Sequence, residues 1–269
     1  KSTLPKKYPK KCFVYFDSDG FVPLLPGIYT NAEKRWLDLR RTDSHMFIAV
    51  LNPYVDPVVT GPREKKYLMS FGGASTSLLR KRLYRVNFGR EDILIQNTSA
   101  YHHWGPNLPG KVERQRAYAE TIASSHYGLC PRGASSGSMR LFEVMQMGVA
   151  PVLISDTFKL PEGPDWDKFL IRVPERKMKQ LPEILDQYVS ESAERGRLAR
   201  EAWEQWFAPT VMFNNIVARC VRIDQERWVP ERWFHPFWGL MLWRRRTSTW
   251  GRGVAKEMVL WVMKRLGLT

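Results

Sequence analysis

The sequence predicts an α/β protein built on a parallel sheet, and three observations predict it. A strand-like run at Tyr127–Cys130 leads into a loop of small residues that holds Gly133, Ser135, Ser136, Gly137 and Ser138. A helix follows over roughly 138–147, with Met139, Phe142 and Met145 three apart on one apolar stripe. Gly148 then caps the helix, and Val149–Ile154 is apolar throughout, the pattern of a strand buried on both faces of a parallel sheet. Ligands in such sheets sit at the carboxyl ends of the strands, which is where the 131–137 loop falls. Free amides and the positive end of the following helix would converge there on one spot suited to a phosphate.

The remaining elements follow in order. Residues 1–11 are rich in Lys and Pro and read as a loose terminus. Cys12–Phe16 is a first strand, ending in Asp17-Ser18-Asp19-Gly20, either an Asx turn or an acidic pair with a chemical role. Pro26–Thr30 reads as a turn into a helix around 31–40, Met46–Leu51 as a second strand, and the Pro-rich Asn52–Pro62 as a hinge. Lys66–Phe71 is a strand, and Gly72–Ser77 is a second small-residue loop, opening a helix with Arg80, Arg82 and Arg85. Ile93–Ile95 is a short strand before a polar loop, 96–110, that carries the pair His102–His103. Glu113–Ser124 is helical, Phe169–Val173 a strand, and Met178–Val189 and Ser192–Phe207 amphipathic helices, with Trp203 and Trp206 on core-facing positions.

The run CPRG-x4-S-x-RLFE-x4-G-x2-PV-x2-SD at 130–156, with Leu160-Pro161, Gly163-Pro164-Asp165-Trp166 and Phe169 behind it, resembles the exostosin family, glycosyltransferase family 47, and its short bacterial members in particular. The likeness reaches back through Lys66–Gly73 and Arg80 and forward to about Phe213. It implies a GT-B-like fold: two Rossmann-like lobes, here with an abbreviated N-terminal lobe over 1–62, a donor-binding lobe over 63–226 and a C-terminal helical tail over 227–269. It also implies inverting transfer of a sugar from a nucleotide-diphosphate sugar, expected to be a UDP-sugar, to a glycan or lipid-linked saccharide. Residue by residue, Glu143 would hold the ribose hydroxyls. Arg140, Arg132 and Arg80, with the amides from Gly133 to Ser138, would bind the diphosphate and stabilise its departure. That arrangement requires no metal and no cofactor beyond the donor. The acceptor-activating base of a GT-B enzyme commonly comes from the N-terminal lobe, which makes Asp19 and Asp17 the candidates. The short first lobe is the main departure from the wider family.

Composition adds limits. Across 269 residues the formal charge is +15, which favours an acidic partner such as a nucleotide sugar, an anionic glycan or an anionic lipid. Three widely spaced cysteines fit a reducing compartment better than a disulfide framework. No apolar run is long enough to span a bilayer, so a cytoplasmic, peripheral-membrane protein is expected; an N-terminal anchor removed ahead of Lys1 would instead place it in the Golgi lumen. The segment from 227 onward interleaves Trp with Arg and Lys. A helix from Val254 to Leu266 would put Met258, Trp261, Val262 and Leu266 on one stripe, either against an anionic membrane surface or packed back across the lobes. Nucleic acid is a less favoured partner. The competing readings are a fucosyltransferase-type GT-B enzyme using a guanine nucleotide sugar and a non-catalytic basic module that binds glycan or nucleic acid.

Overall fold

A computed structural model of the chain describes residues 3–16, 23–34, 40–47, 52–56, 63–101 and 109–243. Two parallel sheets organise it, a mixed α/β architecture of Rossmann-like type. The smaller follows a short helix, α1 (Leu4–Lys7), and has strands β1 (Val14–Phe16), β2 (Gly27–Tyr29) and β3 (Thr42–Ser44), in that order. The larger has β4 (Tyr67–Gly73), β5 (Ile93–Asn97), β6 (Ser125–Pro131), β7 (Ala150–Ile154) and β8 (Ile171–Val173), in the order β5-β4-β6-β7-β8. Strand order therefore reverses between β4 and β6, the position at which doubly wound sheets bind ligands.

Alternation along the buried strands sends side chains to two cores. One face, including Cys130 and Leu153, is covered by α3 (Lys111–Ala123), α4 (Met139–Gln146) and α6 (Ser192–Trp206). The other, including Tyr127, Leu129, Val152 and Ile154, is covered by α2 (Leu78–Leu83) and by 175–186, a 3-10 turn running into α5 (Leu181–Asp186). The approach of α6 to the sheet is close. A Cβ on Gly196 would stand 2.3 Å from the carbonyl oxygen of Gly148, which itself has φ +66 as the left-handed residue ending α4.

The small sheet differs from the sequence reading. Pro26–Thr30 is not a turn, because Gly27–Tyr29 is the buried central strand. Gly27 is there because β1 passes so near that a Cβ would meet the Val14 oxygen at 2.1 Å. Asn31–Lys34 forms a turn and an isolated bridge, Glu33 to Phe158, where a helix was expected; 35–39 lie outside the described residues. The neighbouring strand is Thr42–Ser44 rather than Met46–Leu51; Met46 and Phe47 belong to no regular element, and 48–51 lie outside the described residues. Those polar strand residues stay buried because Lys159, Arg219 and the backbone amide of Glu162 bind them. Of the expected hinge, 57–62 lie outside the described residues, whereas Asn52 anchors to the carbonyl of Gln115 on α3, and Val55 is fully buried.

Helix α7 (Pro209–Glu226) and the 3-10 stretch Glu231–Phe237 return from the large sheet to the small one. Arg219 donates to the carbonyls of Ser44 and Glu162. Glu231 accepts two bonds from Arg41, at 3.0 and 2.8 Å, and both residues are 2% exposed. The described part of the tail thus packs back on the N-terminal strands while leaving Trp228, Trp233, Phe237 and Trp243 exposed. The Val254–Leu266 stripe lies outside the described residues. No helix among those described is long and apolar enough to cross a membrane.

Candidate active site

The carboxyl ends of β4 and β6 bring two loops side by side: Ala74–Ser77 leading into α2, and Arg132–Ser138 leading into α4. Ser77 caps α2 by accepting from the Arg80 amide and fixes the neighbouring loop by donating to the carbonyl of Arg132. Each helix sends an arginine back across the strand ends. Arg80 donates to the carbonyls of Pro131, at 3.3 and 3.0 Å, and Ala74, at 3.2 Å. Arg140 donates to the Gly72 carbonyl at 3.2 Å and lies 4.2 Å from the centre of the Tyr118 ring. Two guanidinium groups are thereby held at the point where the strand order reverses.

Glu143 joins them from the next turn of α4, with 6% of its surface exposed. Its Oε2 accepts from the Tyr118 hydroxyl at 2.9 Å and from Arg140 Nη1, whereas Oε1 takes no bond from any of the described residues. Burial lowers the Arg80 pKa to about 10, and repulsion from Arg140 adds to the effect. Burial also disfavours the charge on Arg140, but Glu143 and Tyr118 more than offset it and hold that guanidinium above its usual range. The Tyr118 hydroxyl, pushed well up by burial, stays protonated and can only donate to Glu143. Cys130 beneath is likewise held as a neutral thiol by burial.

The 132–138 loop is built for close approach. A Cβ on Gly133 would meet Thr76 Oγ1 at 3.3 Å and Arg80 Nη2 at 3.5 Å, so a side chain there would fill the space between the two loops. A Cβ on Gly137 would come within 2.5 Å of Asn31 Oδ1, which instead accepts the Gly137 amide at 3.2 Å. Ser136 Oγ donates to the Asn31 carbonyl at 3.1 Å, tying the loop to the small-sheet side. Ser138, at the N-terminus of α4, is 4% exposed, and its Oγ has no hydrogen-bond partner among the described residues. A buried hydroxyl beside a helix N-terminus and two arginines is a place for an anion's oxygen.

The structure brings Arg80, Arg140, Glu143, Gly133 and Ser138 into this one region. Arg132 belongs to the same loop but turns to Glu175, with Nε–Oε1 at 2.6 Å and Nη2–Oε2 at 3.0 Å, and that pair raises its pKa. Asp17, Asp19, His102 and His103 lie outside the described residues. Sequence reasoning passed over Tyr118 and Asn31. It also passed over the buried run Asp43-Ser44-His45, whose one signal was six consecutive polar residues, Arg40 to His45, ahead of Met46. Beside the site, Met46, Phe47, Met139, Glu143 and Gln146 line a narrow cleft of about 10 Å³. Among the described residues, no group of three or more His, Cys, Asp or Glu could hold a metal ion.

A family model described as the Exostosin GT47 domain matches residues 48–188. Among curated proteins, the chain is 30% identical over 182 residues to the Exostosin-1 homolog of Caenorhabditis elegans, covering 61% of this chain and 47% of that one. It is 28% identical over 180 residues to Exostosin-1 of Drosophila melanogaster, covering 62% and 23%, and 26% identical over 182 residues to Exostosin-1b of Danio rerio, covering 62% and 24%. The match therefore spans about half of the first relative and about a quarter of the other two.

Proposed function

The chain belongs to the exostosin GT47 family, and from that premise we propose that it is an inverting, GT-B-type glycosyltransferase whose donor, a UDP-sugar, binds where β4 and β6 diverge. One observation carries the proposal: Arg80, Arg140, Glu143 and Tyr118 converge on those strand ends beside the unpartnered Ser138 hydroxyl. Glu143 Oε1 accepts the ribose hydroxyls, while Oε2 stays fixed by Arg140 and Tyr118. The diphosphate lies against Arg80, Arg140, the open side of Gly133 and the end of α4, with Arg132 at the rim.

In the reaction the acceptor oxygen attacks the anomeric carbon as the bond from that carbon to the diphosphate oxygen breaks. The acceptor proton passes to a base, for which Asp19 or Asp17 is the proposal. Negative charge collects on the departing diphosphate, and the preset guanidiniums stabilise it there without reorganising. These cations perform the work a divalent metal performs in other glycosyltransferases, so activity is expected to survive chelation. The acceptor is a glycan or a lipid-linked saccharide. Exposed Trp228, Trp233, Phe237 and Trp243 support contact with an anionic membrane surface through the tail.

Calorimetric titration with UDP, CDP and GDP, with and without EDTA, tests the reading. Saturable binding with UDP preferred, weakened at least tenfold in Glu143→Gln and in Arg80→Ala, is the expected result. Absence of binding by every nucleoside diphosphate, or unchanged affinity in the folded Glu143→Gln variant, would sink it.

A further inference from the structure

Asn97-Thr98-Ser99 is the one Asn-x-Ser/Thr triplet among the chain's seven asparagines, the pattern at which a glycan is joined to an asparagine nitrogen. A triplet alone is a weak signal, and here the fold supplies its conformation. Asn97 is the last residue of β5, the edge strand of the large sheet, and pairs with Gly73 at the carboxyl end of β4. The chain turns at once: Thr98 donates its amide to the Gly73 carbonyl at 2.9 Å, and Asn97 and Ser99 are both exposed.

Within that turn the Asn97 side chain folds over its own backbone. Its Oδ1 accepts from the Ser99 amide at 3.0 Å and from the Ser99 hydroxyl at 2.6 Å, an Asx turn with a second, side-chain donor. Nδ2 donates to none of the described residues. Ser99 is fixed in turn, its Oγ accepting the Ser75 amide at 2.7 Å, which leaves the single hydroxyl proton for Asn97. This geometry bears on reactivity. An amide nitrogen is a poor nucleophile because its lone pair is delocalised into the carbonyl. Two donors on Oδ1 polarise that carbonyl and make the Nδ2 protons easier to remove.

We propose that Asn97 is an N-glycosylation site, presented in reactive form by the folded protein. Nδ2 attacks the anomeric carbon of an oligosaccharide carried on a lipid diphosphate. The bond from that carbon to the diphosphate oxygen breaks, and the lipid diphosphate leaves with the electron pair. The proton from Nδ2 passes to a base of the oligosaccharyltransferase that brings the two together. The product keeps Oδ1 as a carbonyl oxygen, so both bonds from Ser99 survive and the turn is unchanged by the modification. The inference stands apart from the donor assignment, since neither Asn97 nor Ser99 belongs to the proposed donor site.

The test incubates the full chain, its folding checked by near-ultraviolet circular dichroism, with a single-subunit oligosaccharyltransferase and a lipid-diphosphate oligosaccharide, and reads intact mass. The expected result is a gain of one oligosaccharide per chain, mapped to Asn97, at a rate no lower than that of a free peptide spanning 93–103. Asn97→Gln should abolish the gain, and Ser99→Thr, which keeps the hydroxyl, should retain it. Ser99→Ala removes one donor to Oδ1 and should slow the reaction about tenfold or more, the worth of one hydrogen bond. A folded chain left unmodified under conditions that modify the peptide would overturn the proposal. So would a rate below that of the peptide, or a gain that persists in Asn97→Gln.

Discussion

Replacing Arg140 by Ala should strand the Glu143 carboxylate, and the structure sets the size of the effect. Side-chain exposure is 24% for the arginine and 7% for the glutamate. Breaking a fully buried pair costs about 3–5 kcal/mol, and an exposed pair contributes about 0–1 kcal/mol. A pair buried on one side and a quarter open on the other falls between, at roughly 2–3 kcal/mol. For a chain of this size each kcal/mol moves the melting temperature by about 2–4 °C, so a fall of roughly 4–12 °C is expected. Most of the loss is the unpaired charge rather than the missing bond to the Gly72 carbonyl. Adding Glu143→Gln to Arg140→Ala removes that charge and should therefore recover about 1–2 kcal/mol, a coupling typical of residues in contact. Urea denaturation followed by tryptophan fluorescence measures all four members of the cycle. Additive losses, with no recovery in the double variant, would refute the view that Arg140 is there to neutralise Glu143.

Two further outcomes rest on other parts of the molecule. His45 is fully buried, and burial, reinforced by Arg219, depresses its pKa to about 3. Its unfolded value is about 6.5, so its contribution is complete above that pH and is lost as pH falls toward 3, at up to about 1.4 kcal/mol per pH unit; His45→Gln should flatten this limb in denaturation curves at pH 4–7, and an unchanged slope would contradict the assignment. Gly196→Ala pushes a methyl against the Gly148 carbonyl rather than against a movable side chain. It should cost about 1–3 kcal/mol or more, read as a lower melting temperature, and an unaltered melt would show that α6 is free to shift.

The large sheet was legible because its strands are long, apolar and punctuated by glycines. Tyr67–Gly73, Ser125–Pro131 and Ala150–Ile154 match runs read directly from residue type, and α4 follows its stripe of Met139, Phe142 and Met145. The small sheet was not, since strands of three residues carry no measurable period. Gly27 imitates a turn signal, while its real reason is the nearness of Val14, a long-range contact invisible in local pattern. Asp43 and Ser44 imitate a loop, and only their partners on Lys159, Arg219 and Glu162 make them tolerable in a core. At the site, Arg80, Arg140 and Glu143 stood out through the family resemblance, whose motif carries loop and helix together. Tyr118, 25 residues from Glu143, could enter only once α3 was seen packed against α4. The pairing of Arg132 with Glu175, 43 positions on, had no local signal at all.

The bond between Arg41 and Glu231 spans 190 positions, and that between Arg219 and Ser44 spans 175. On the ribosome, the three short strands of the small sheet emerge well before α7 and Glu231, which carry the groups that satisfy their buried charges. Until then Arg41 and Asp43 must remain in water or in chaperone contact, because closing the small sheet without them would bury unpaired ions. The large sheet, whose core is closed once α6 and the following Phe207–Met212 have emerged, can fold ahead of them. A chain interrupted before Glu231 would thus carry a folded large sheet beside an unsettled small-sheet segment, a natural substrate for proteolysis.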